Sequence, residues 1–296
     1  MRNLTLGVLL LLALSGMAHA QDLHFSTLKI FDPIPISTYD PDRRIPVTLY
    51  DRKGEMRGGT FYSSTKDTTG RFVVFSVPMS HIRRGQVFVN QDTGELDLRM
   101  SWHEGEDGAL TLGPNLARDG LPKDSFPMPG EVFVHVSDSW INPTRVEQMD
   151  DRFVAAKASG RVFSGYRSGD FSRDPVWTGR SYCGWDAFER HERRAGSRDS
   201  LIATYPDQNS DPPFSLGRSF GYPDGDGGYR LIAYCSAKKS LGRNGYCLVR
   251  YALLTDYIGF KIGINSADLC RAPALVSAVK AQLEGWVLTR QDEVLN

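Results

Sequence analysis

The clearest hydrophobic pattern of this chain lies between residues 229 and 287. Two runs rich in aromatic and β-branched residues, 229–235 and 246–253, are separated by a polar segment, which is typical of a β-hairpin. Residues 258–264 then alternate apolar and polar side chains, and this period of two predicts a third strand with one apolar face. The pattern therefore predicts three consecutive antiparallel strands.

From Pro273 the apolar spacing changes to that of an α-helix. One stripe of the helix surface would carry Leu275, Val276, Val279, Leu283, Trp286 and Val287. A proline is tolerated in the first turn, where its missing N–H has no intrahelical acceptor. We expect a helix over residues 273–286 that lays this stripe on the apolar face of the sheet.

Strand patterns also fill most of the first half of the chain. The predicted strands are 45–50, 59–63, 71–77, 86–90, 95–102 and 131–136. Residues 86–90 and 95–102 flank a turn sequence and form the clearest hairpin pattern there. We also predict a strand pair at 152–158 and 161–166, and a short helix at 185–194 ended by Gly196.

These elements predict an α+β fold. Its N-terminal part is mostly antiparallel β, and its C-terminal antiparallel sheet is packed by a terminal helix and stapled by disulfides. We place a domain boundary in the polar, glycine-containing stretch near residue 170. The predicted organisation is a signal peptide at 1–20, a β-rich domain at 21–170 and an α+β domain at 171–296.

The first 20 residues have the three parts of a secretory signal peptide. Arg2 precedes an apolar run, and Ala18-His19-Ala20 forms a small-residue cleavage site. The run is shorter than the roughly 20 residues that span a bilayer. We expect cleavage after Ala20, a periplasmic location, and no membrane span. Because no cysteine follows the cleavage site, we expect no lipid anchor.

The charge balance gives no electrostatic reason to expect a nucleic acid or an anionic membrane as partner. The chain has 35 basic and 35 acidic residues. Removal of Arg2 with the signal peptide leaves 34 basic against 35 acidic residues, a net charge of −1. Nucleic-acid-binding domains instead carry a marked basic excess.

Four cysteines lie in the C-terminal half: Cys183, Cys235, Cys247 and Cys270. An even number in an exported chain indicates disulfides, of which three pairings are possible. Because Cys235 and Cys247 lie at facing ends of the predicted hairpin strands, we favour Cys235–Cys247 with Cys183–Cys270. A zinc site is disfavoured because no C-x-x-C spacing occurs.

No catalytic constellation is visible. Ser164 lacks the preceding glycine of a G-x-S-x-G elbow, and the six histidines form no H-x-x-x-H pair. His135, on an apolar run, is better explained as a satisfied histidine facing out of a strand. The acidic turn 224–228 could offer oxygen ligands to calcium, but its glycines explain it equally well as a turn. We expect no enzyme activity, no metal and no cofactor.

The C-terminal unit resembles the C-terminal domains of periplasmic immunity proteins that neutralise type VI secretion lipase and phospholipase effectors. The resemblance lies in Cys235, the run Tyr246-Cys247-Leu248-Val249-Arg250-Tyr251, the alternating strand 258–264 and the closing helix with Leu283-Glu284-Gly285-Trp286. It covers roughly residues 229–290, a fifth of the chain. Many of those proteins are lipid-anchored at an N-terminal cysteine, which this chain lacks.

The resemblance implies a protein that binds a cognate effector enzyme and blocks its active site sterically. We expect this chain to be a monomer on its own. We expect the contact to involve the loops 103–107, 113–130 and 205–213. The candidate contact residues are Trp102, Glu104, Glu106, Asp107, Phe126, Trp140, Asp207 and Asp211.

Two other classes stay open. One is a periplasmic glycan- or lipid-binding envelope module, which would use aromatic side chains such as Trp140 and Trp177 at loop tips. The other is an exported hydrolase without a familiar motif. An enzyme would bring titratable groups with perturbed pKa values together in a pocket.

Overall fold

A computed structural model describes residues 40, 42–57, 60–81, 89–90, 95–115, 127–137, 143–160, 175–189, 218–236 and 245–292 of the 296-residue chain. The described strands are β1 (Arg44–Arg57), β2 (Thr60–Pro78), β3 (Val89–Asn90), β4 (Glu95–Glu104), β5 (Leu110–Pro114), β6 (Glu131–Ser137), β7 (Val176–Tyr182), β8 (Trp185–Glu189), β9 (Arg218–Pro223), β10 (Tyr229–Ser236), β11 (Tyr246–Leu253), β12 (Gly259–Asn265) and β13 (Val287–Gln291). The α-helices are α1 (Pro143–Ala158) and α2 (Ala272–Gly285), and short 3-10 helices lie at Met79–His81 and Ser266–Arg271.

A large antiparallel sheet forms the centre of the fold. Its strand order is β3-β4-β6-β12-β11-β10-β9-β8-β7, and β5 pairs with the outer side of β4. The predicted C-terminal hairpin is confirmed as β10–β11, with Cys235 opposite Cys247. The predicted hairpin in the first half is confirmed as β3–β4, and the α+β class is confirmed with it.

The C-terminal helix buries its predicted stripe. Leu275, Val276, Val279 and Leu283 of α2 are buried, as is Trp286 directly after it. They join one core cluster with the inner face of the large sheet. Full burial of such a side chain stabilises a fold by roughly 1.5–3 kcal/mol relative to exposure. The helix therefore organises the main core.

A second sheet closes this core from another side, with the order β1-β2-β13. The chain leaves α2 directly into β13, whose Val287 pairs with Phe75 of β2. Val287 therefore belongs to a strand and does not continue the helical stripe. Tyr257, in the turn before β12, lies under the Arg71 guanidinium, 4.5 Å from the ring centroid. Its hydroxyl lies 3.1 Å from the carbonyl oxygen of Phe72, which ties the two sheets together.

The predicted strand at 152–158 is wrong, because these residues form the second half of α1. Alanine and lysine favour a helix, and a short apolar run does not distinguish a strand from a helix by period alone. Phe153 packs edge-on against Phe188 with ring centroids 4.7 Å apart. Lys157 pairs with the buried Asp186. These contacts hold α1 on the face of the sheet opposite the main core.

The predicted helix at 185–194 is also wrong for its described residues, because Trp185–Glu189 is strand β8. Trp185 and Ala187 face the main core, whereas Phe188 lies in the cluster under α1. A strand buried on both faces lacks the apolar–polar alternation that would reveal it. The second half of the predicted helix, like the strand 161–166, lies outside the described residues.

Both favoured disulfides are confirmed, Cys235–Cys247 and Cys183–Cys270, and no free cysteine remains. The first joins neighbouring strands β10 and β11. The second connects the turn between β7 and β8 to the 3-10 helix Ser266–Arg271, across a sequence separation of 87 residues. It fixes the far edge hairpin to the segment that leads into α2.

The predicted domain boundary near residue 170 stays a prediction. Strands from both sides of it, β6 and β12, pair along their length in the large sheet. Among the described residues, no helix is both long and apolar enough to cross a membrane. The signal peptide 1–20 lies outside the described residues.

Replacement of Leu283 by alanine tests the role of α2. Leu283 is 0% exposed, and truncation of a buried leucine costs about 2–5 kcal/mol because it leaves a cavity. Leu288, 63% exposed on β13, is the matched control, and Leu288→Ala should change the free energy of unfolding by less than about 0.5 kcal/mol. Urea unfolding measures both. Equal losses of unfolding free energy in the two variants would contradict the burial of α2 in the main core.

His81 should make stability depend on pH. Burial, with the nearby positive charge of Arg44, lowers the pKa of His81 to about 4, and its ring packs edge-on against Trp286. The unfolded chain takes up this proton near the usual pKa of about 6.5, so stability should fall as pH drops from there towards 4. His81→Gln should flatten that slope in urea unfolding, and an unchanged slope would contradict this role of His81.

Candidate partner-binding surface

Several strand ends and loops meet at one end of the large sheet, which we call the upper end. Here β4 ends at Glu104, β6 begins at Glu131 and β12 ends at Asn265, because Ser101 is opposite Glu131 and Ile264 is opposite Val132. The same antiparallel alternation brings the end of β8 and the start of β9 to this end. At this end, therefore, one strand ends and the next begins on either side of each of three segments: 105–109, 190–217 and 237–244.

The turn before β6 displays an exposed methionine at the upper end. Met128 is 56% exposed, the most exposed of the large apolar side chains of the described residues after Leu288. Pro127 precedes it, Pro129 follows it, and Gly130 closes the turn at a φ of +84°. Such a φ favours glycine, which has no Cβ to clash. The turn is therefore well defined, and its methionine points to solvent.

Three buried polar side chains brace this turn. Asn265 Nδ2 donates to the carbonyl oxygen of Pro127 at 3.1 Å. Glu131 Oε2 accepts from the N–H of Met128 at 2.7 Å, and Asp268 Oδ2 accepts from the N–H of Gly130 at 3.0 Å. Buried polar groups normally have such partners, since leaving one unsatisfied costs about 1–3 kcal/mol. The network makes the turn rigid without contributing to its exposed surface.

Asp268 is the electrostatically unusual member of this network. Burial raises the pKa of its carboxyl above the ordinary value. The N–H of Gly130 opposes this shift, since it donates to the charged carboxylate. The same hydrogen bond therefore stabilises the charged form of Asp268 and holds the backbone of the turn.

An acidic hairpin tip, residues 103–109, lies at the same end. Gly105 and Ala109 close it with a 2.9 Å backbone hydrogen bond, and Asp107 Oδ1 accepts from the N–H of Ala109 at 3.0 Å. The side chains of Glu106 and Asp107 are exposed. Glu104 is anchored by Arg271, with 2.7 Å between Oε2 and Nη2. The tip thus presents a fixed negative charge.

The 3-10 helix Ser266–Arg271 connects the Met128 turn to the acidic tip. Asn265 caps this helix, because its Oδ1 accepts from the N–H of Ala267 at 3.0 Å. Asp268 holds the turn and Arg271 holds the tip. One short element therefore fixes the relative position of an apolar anchor and an acidic patch, which together we call the Met128 surface.

The predicted contact residues are only partly brought together. Glu104, Glu106 and Asp107 lie on the Met128 surface, whereas Trp102 is half-buried and packs against the main core. The other predicted residues lie outside the described part of the chain: Phe126, Trp140, Asp207 and Asp211. The role of all eight in binding stays a prediction.

Met128 and Arg271 were missed by sequence reasoning. Met128 falls within the predicted loop 113–130, but nothing in its flanking prolines indicates that it is exposed on a braced turn. The start of the 3-10 helix Ser266–Arg271 is detectable in the sequence, because Asn265 is followed three residues later by Asp268 and this spacing resembles a helix start signal.

Other predicted sites have structural explanations. Asp224 Oδ1 accepts from the N–H groups of Asp226 and Gly228 at 2.8 and 3.0 Å, which favours the turn over a calcium ligand. His135 Nδ1 lies 2.6 Å from Asp97 Oδ1, so one ring nitrogen has the expected partner, whereas Nε2 is buried without one among the described residues. Trp177 is wrongly predicted as a loop-tip aromatic, because it lies within β7 and packs against the cluster under α1. Among the described residues, no group of acidic, His or Cys side chains is arranged to hold a metal.

Comparisons with known proteins give little. No protein-family model matches the chain, and no curated protein matches it. Among solved structures, the chain is similar to Smlt3025, described as an immunity protein of the Stenotrophomonas maltophilia type IV secretion system. The identity is 11%, the match covers 83% of this chain and 95% of that one, and the TM-score is 0.40. A similarity at this level supports no inference about activity.

Replacement of Asp268 by alanine should loosen the Met128 turn. The N–H of Gly130 would lose its acceptor, and the expected loss is about 1–3 kcal/mol of unfolding free energy. The control is Asp226→Ala, which removes an exposed carboxylate at the opposite end of the sheet and should cost less than about 0.5 kcal/mol. Urea unfolding measures both variants. An unchanged Asp268→Ala protein would show that the network does not brace the turn.

Proposed function

We propose that this chain is an exported immunity protein that binds a secreted lipase or phospholipase effector and blocks it sterically. The observation that carries the proposal is the Met128 surface, where an exposed apolar side chain is held on a rigid turn beside a fixed acidic tip. The surface has the features of a preorganised binding site.

Rigidity favours tight binding. Association costs free energy whenever a loop has to be ordered at the interface, and a braced turn avoids that cost. Interfaces commonly combine a central apolar anchor with a polar rim. Met128 would serve as the anchor, and Glu104, Glu106 and Asp107 would form part of the rim.

The chemistry of this surface suits a lipolytic enzyme. The mouth of such an enzyme has to admit acyl chains, and a flexible, polarisable methionine packs well against irregular apolar surfaces. An enzyme that works on anionic phospholipid gains from basic side chains near its mouth, because cations are attracted to such a membrane. The acidic tip would pair with those side chains and compete with the lipid surface.

Three sequence features support export and immunity. The signal-peptide pattern predicts a periplasmic protein, and disulfides persist in oxidising compartments of that kind. The C-terminal unit resembles immunity proteins that act against lipase effectors. The name of the similar solved structure agrees with an immunity role, but its TM-score is too low to add support.

The proposed protein acts as a monomer without a cofactor or a nucleic acid. Nothing in the described residues favours the alternative, a glycan- or lipid-binding envelope module. Its expected aromatic site included Trp177, which packs beside α1.

Neutralisation in a bacterial host tests the proposal. Each exported protein encoded beside this chain's gene would be produced in the periplasm, with and without this chain, while growth and fatty-acid release from phospholipid are measured. We expect one such protein to be toxic and lipolytic, and co-production of this chain to restore growth. Met128→Asp should weaken binding by 2 kcal/mol or more, roughly 30-fold, as expected for an interface anchor.

Leu288→Asp is the matched control for Met128→Asp. Leu288 is also an exposed apolar side chain, but it lies on β13 of the other sheet. The Leu288→Asp variant should protect host growth as well as the unchanged chain does. Protection that survives Met128→Asp and is lost with Leu288→Asp would place the contact elsewhere. Protection without any lipolytic partner would refute the substrate class, and failure to neutralise any neighbouring protein would refute immunity.

A further inference from the structure

The two disulfides differ in their access to solvent. Cys235 and Cys247 are 4% and 0% exposed and belong to the main core. Cys183 is exposed at the tip of the β7–β8 hairpin, and Cys270 is half-buried in the 3-10 helix Ser266–Arg271. Thiol–disulfide exchange requires a thiolate to reach one of the sulfurs. Only the Cys183–Cys270 bond is open to such attack while the protein is folded.

The turn itself does not account for a cysteine at position 183. Cys183 and Gly184 form a two-residue hairpin turn, with φ values of +48° and +82°. Glycine, asparagine and aspartate are the residues that favour this conformation. Among the described residues, Cys183 is the one non-glycine residue with a positive φ. The disulfide, and not the turn, therefore explains the cysteine.

The exposed disulfide ends on the element that organises the Met128 surface. Cys270 lies between Asp268, which holds the N–H of Gly130, and Arg271, which holds Glu104. One covalent bond thus joins the edge hairpin to the helix that positions both halves of that surface. Loss of this bond would remove the covalent tether between the 3-10 helix and the edge hairpin. The helix would then be held by its chain connections to β12 and α2, by the buried Leu269 and by the contacts of Asp268 and Arg271.

We propose that Cys183–Cys270 is a thiol–disulfide exchange site whose redox state controls the order of the Met128 surface. The co-reactant is a dithiol. One of its thiolates attacks Sγ of Cys183, the S–S bond breaks, and Cys270 leaves as a thiolate that takes up a proton. The second thiolate of the dithiol then attacks the mixed disulfide, which releases Cys183 as a thiol and leaves the dithiol oxidised. Two electrons pass to the protein.

The reduced protein keeps its fold, because the buried Cys235–Cys247 bond and the main core are untouched. The 3-10 helix loses its tether to the β7–β8 turn, and the hydrogen bond between Asp268 and Gly130 opens more often. The consequence for partner binding rests on the proposed function, whereas the redox chemistry and the loosening do not.

Graded reduction of the folded protein tests the exchange site. Dithiothreitol is added without denaturant, the thiols are trapped with N-ethylmaleimide, and labelled peptides are identified by mass spectrometry. We expect Cys183 and Cys270 to be labelled at least roughly tenfold faster than Cys235 and Cys247, since exposure controls attack. Labelling of all four cysteines at one rate would mean that reduction occurs through global unfolding, and would overturn the proposal.

Hydrogen exchange tests whether the Cys183–Cys270 disulfide controls the order of the Met128 surface. In the partially reduced protein the amide of Gly130 should exchange roughly tenfold faster, as expected for a locally destabilised segment. The amides of Tyr257 and Ile258, bonded to Thr255 Oγ1 in the turn before β12, are the internal control and should not change. The double variant Cys183→Ser with Cys270→Ser cannot form this disulfide. Its Gly130 amide should exchange as fast as that of the partially reduced protein.

If the double variant does not fold, the partially reduced protein still gives the measurement, because it is reduced after folding. An unchanged exchange rate at Gly130 would show that the disulfide does not control the order of the Met128 surface, even if the disulfide is selectively reduced. Neither experiment uses a partner. Failure of the proposed immunity function would therefore leave these results intact, and failure here would leave the immunity function untouched.

Discussion

Burial of the α2 stripe is the constraint on which the rest of the structure depends. Leu275, Val279 and Leu283 lie in one core with the inner faces of both sheets. The chain enters this helix from the 3-10 helix Ser266–Arg271 and leaves it into β13. The packing of α2 therefore fixes the position of the two segments beside it. One of those segments carries the side chains that hold the Met128 surface.

This connection explains how a surface with exposed groups can be rigid. Its apolar anchor and its charges face solvent, but they are held from beneath by Asn265, Asp268 and Glu131, which are buried. The cost of burying these polar groups is offset by the hydrogen bonds they make to the turn. The same arrangement makes the surface sensitive to its support, because the 3-10 helix also carries Cys270. A single short element therefore connects core packing, binding geometry and redox chemistry.

The C-terminal elements were predictable because several local signals agreed. The period of two in β12, the apolar stripe of α2 and the facing cysteines of β10 and β11 are all visible in the sequence. Strand β8 was missed because Trp185 and Phe188 are buried on opposite faces, so its apolar residues do not alternate with polar ones. The Met128 surface was not predictable, because Asn265 contacts the turn across a separation of 138 residues. Local pattern carries no information about such a contact.

Hydrogen exchange of the isolated complex with a purified lipolytic effector would show whether the Met128 surface is the binding site. We expect a stoichiometric amount of effector to protect the backbone amides of residues 103–109 and 127–131, while the amides of the 224–228 turn exchange as in the free protein. Protection confined to the 224–228 end, or inhibition of the effector without protection of residues 127–131, would contradict the assignment of the Met128 surface as the binding site.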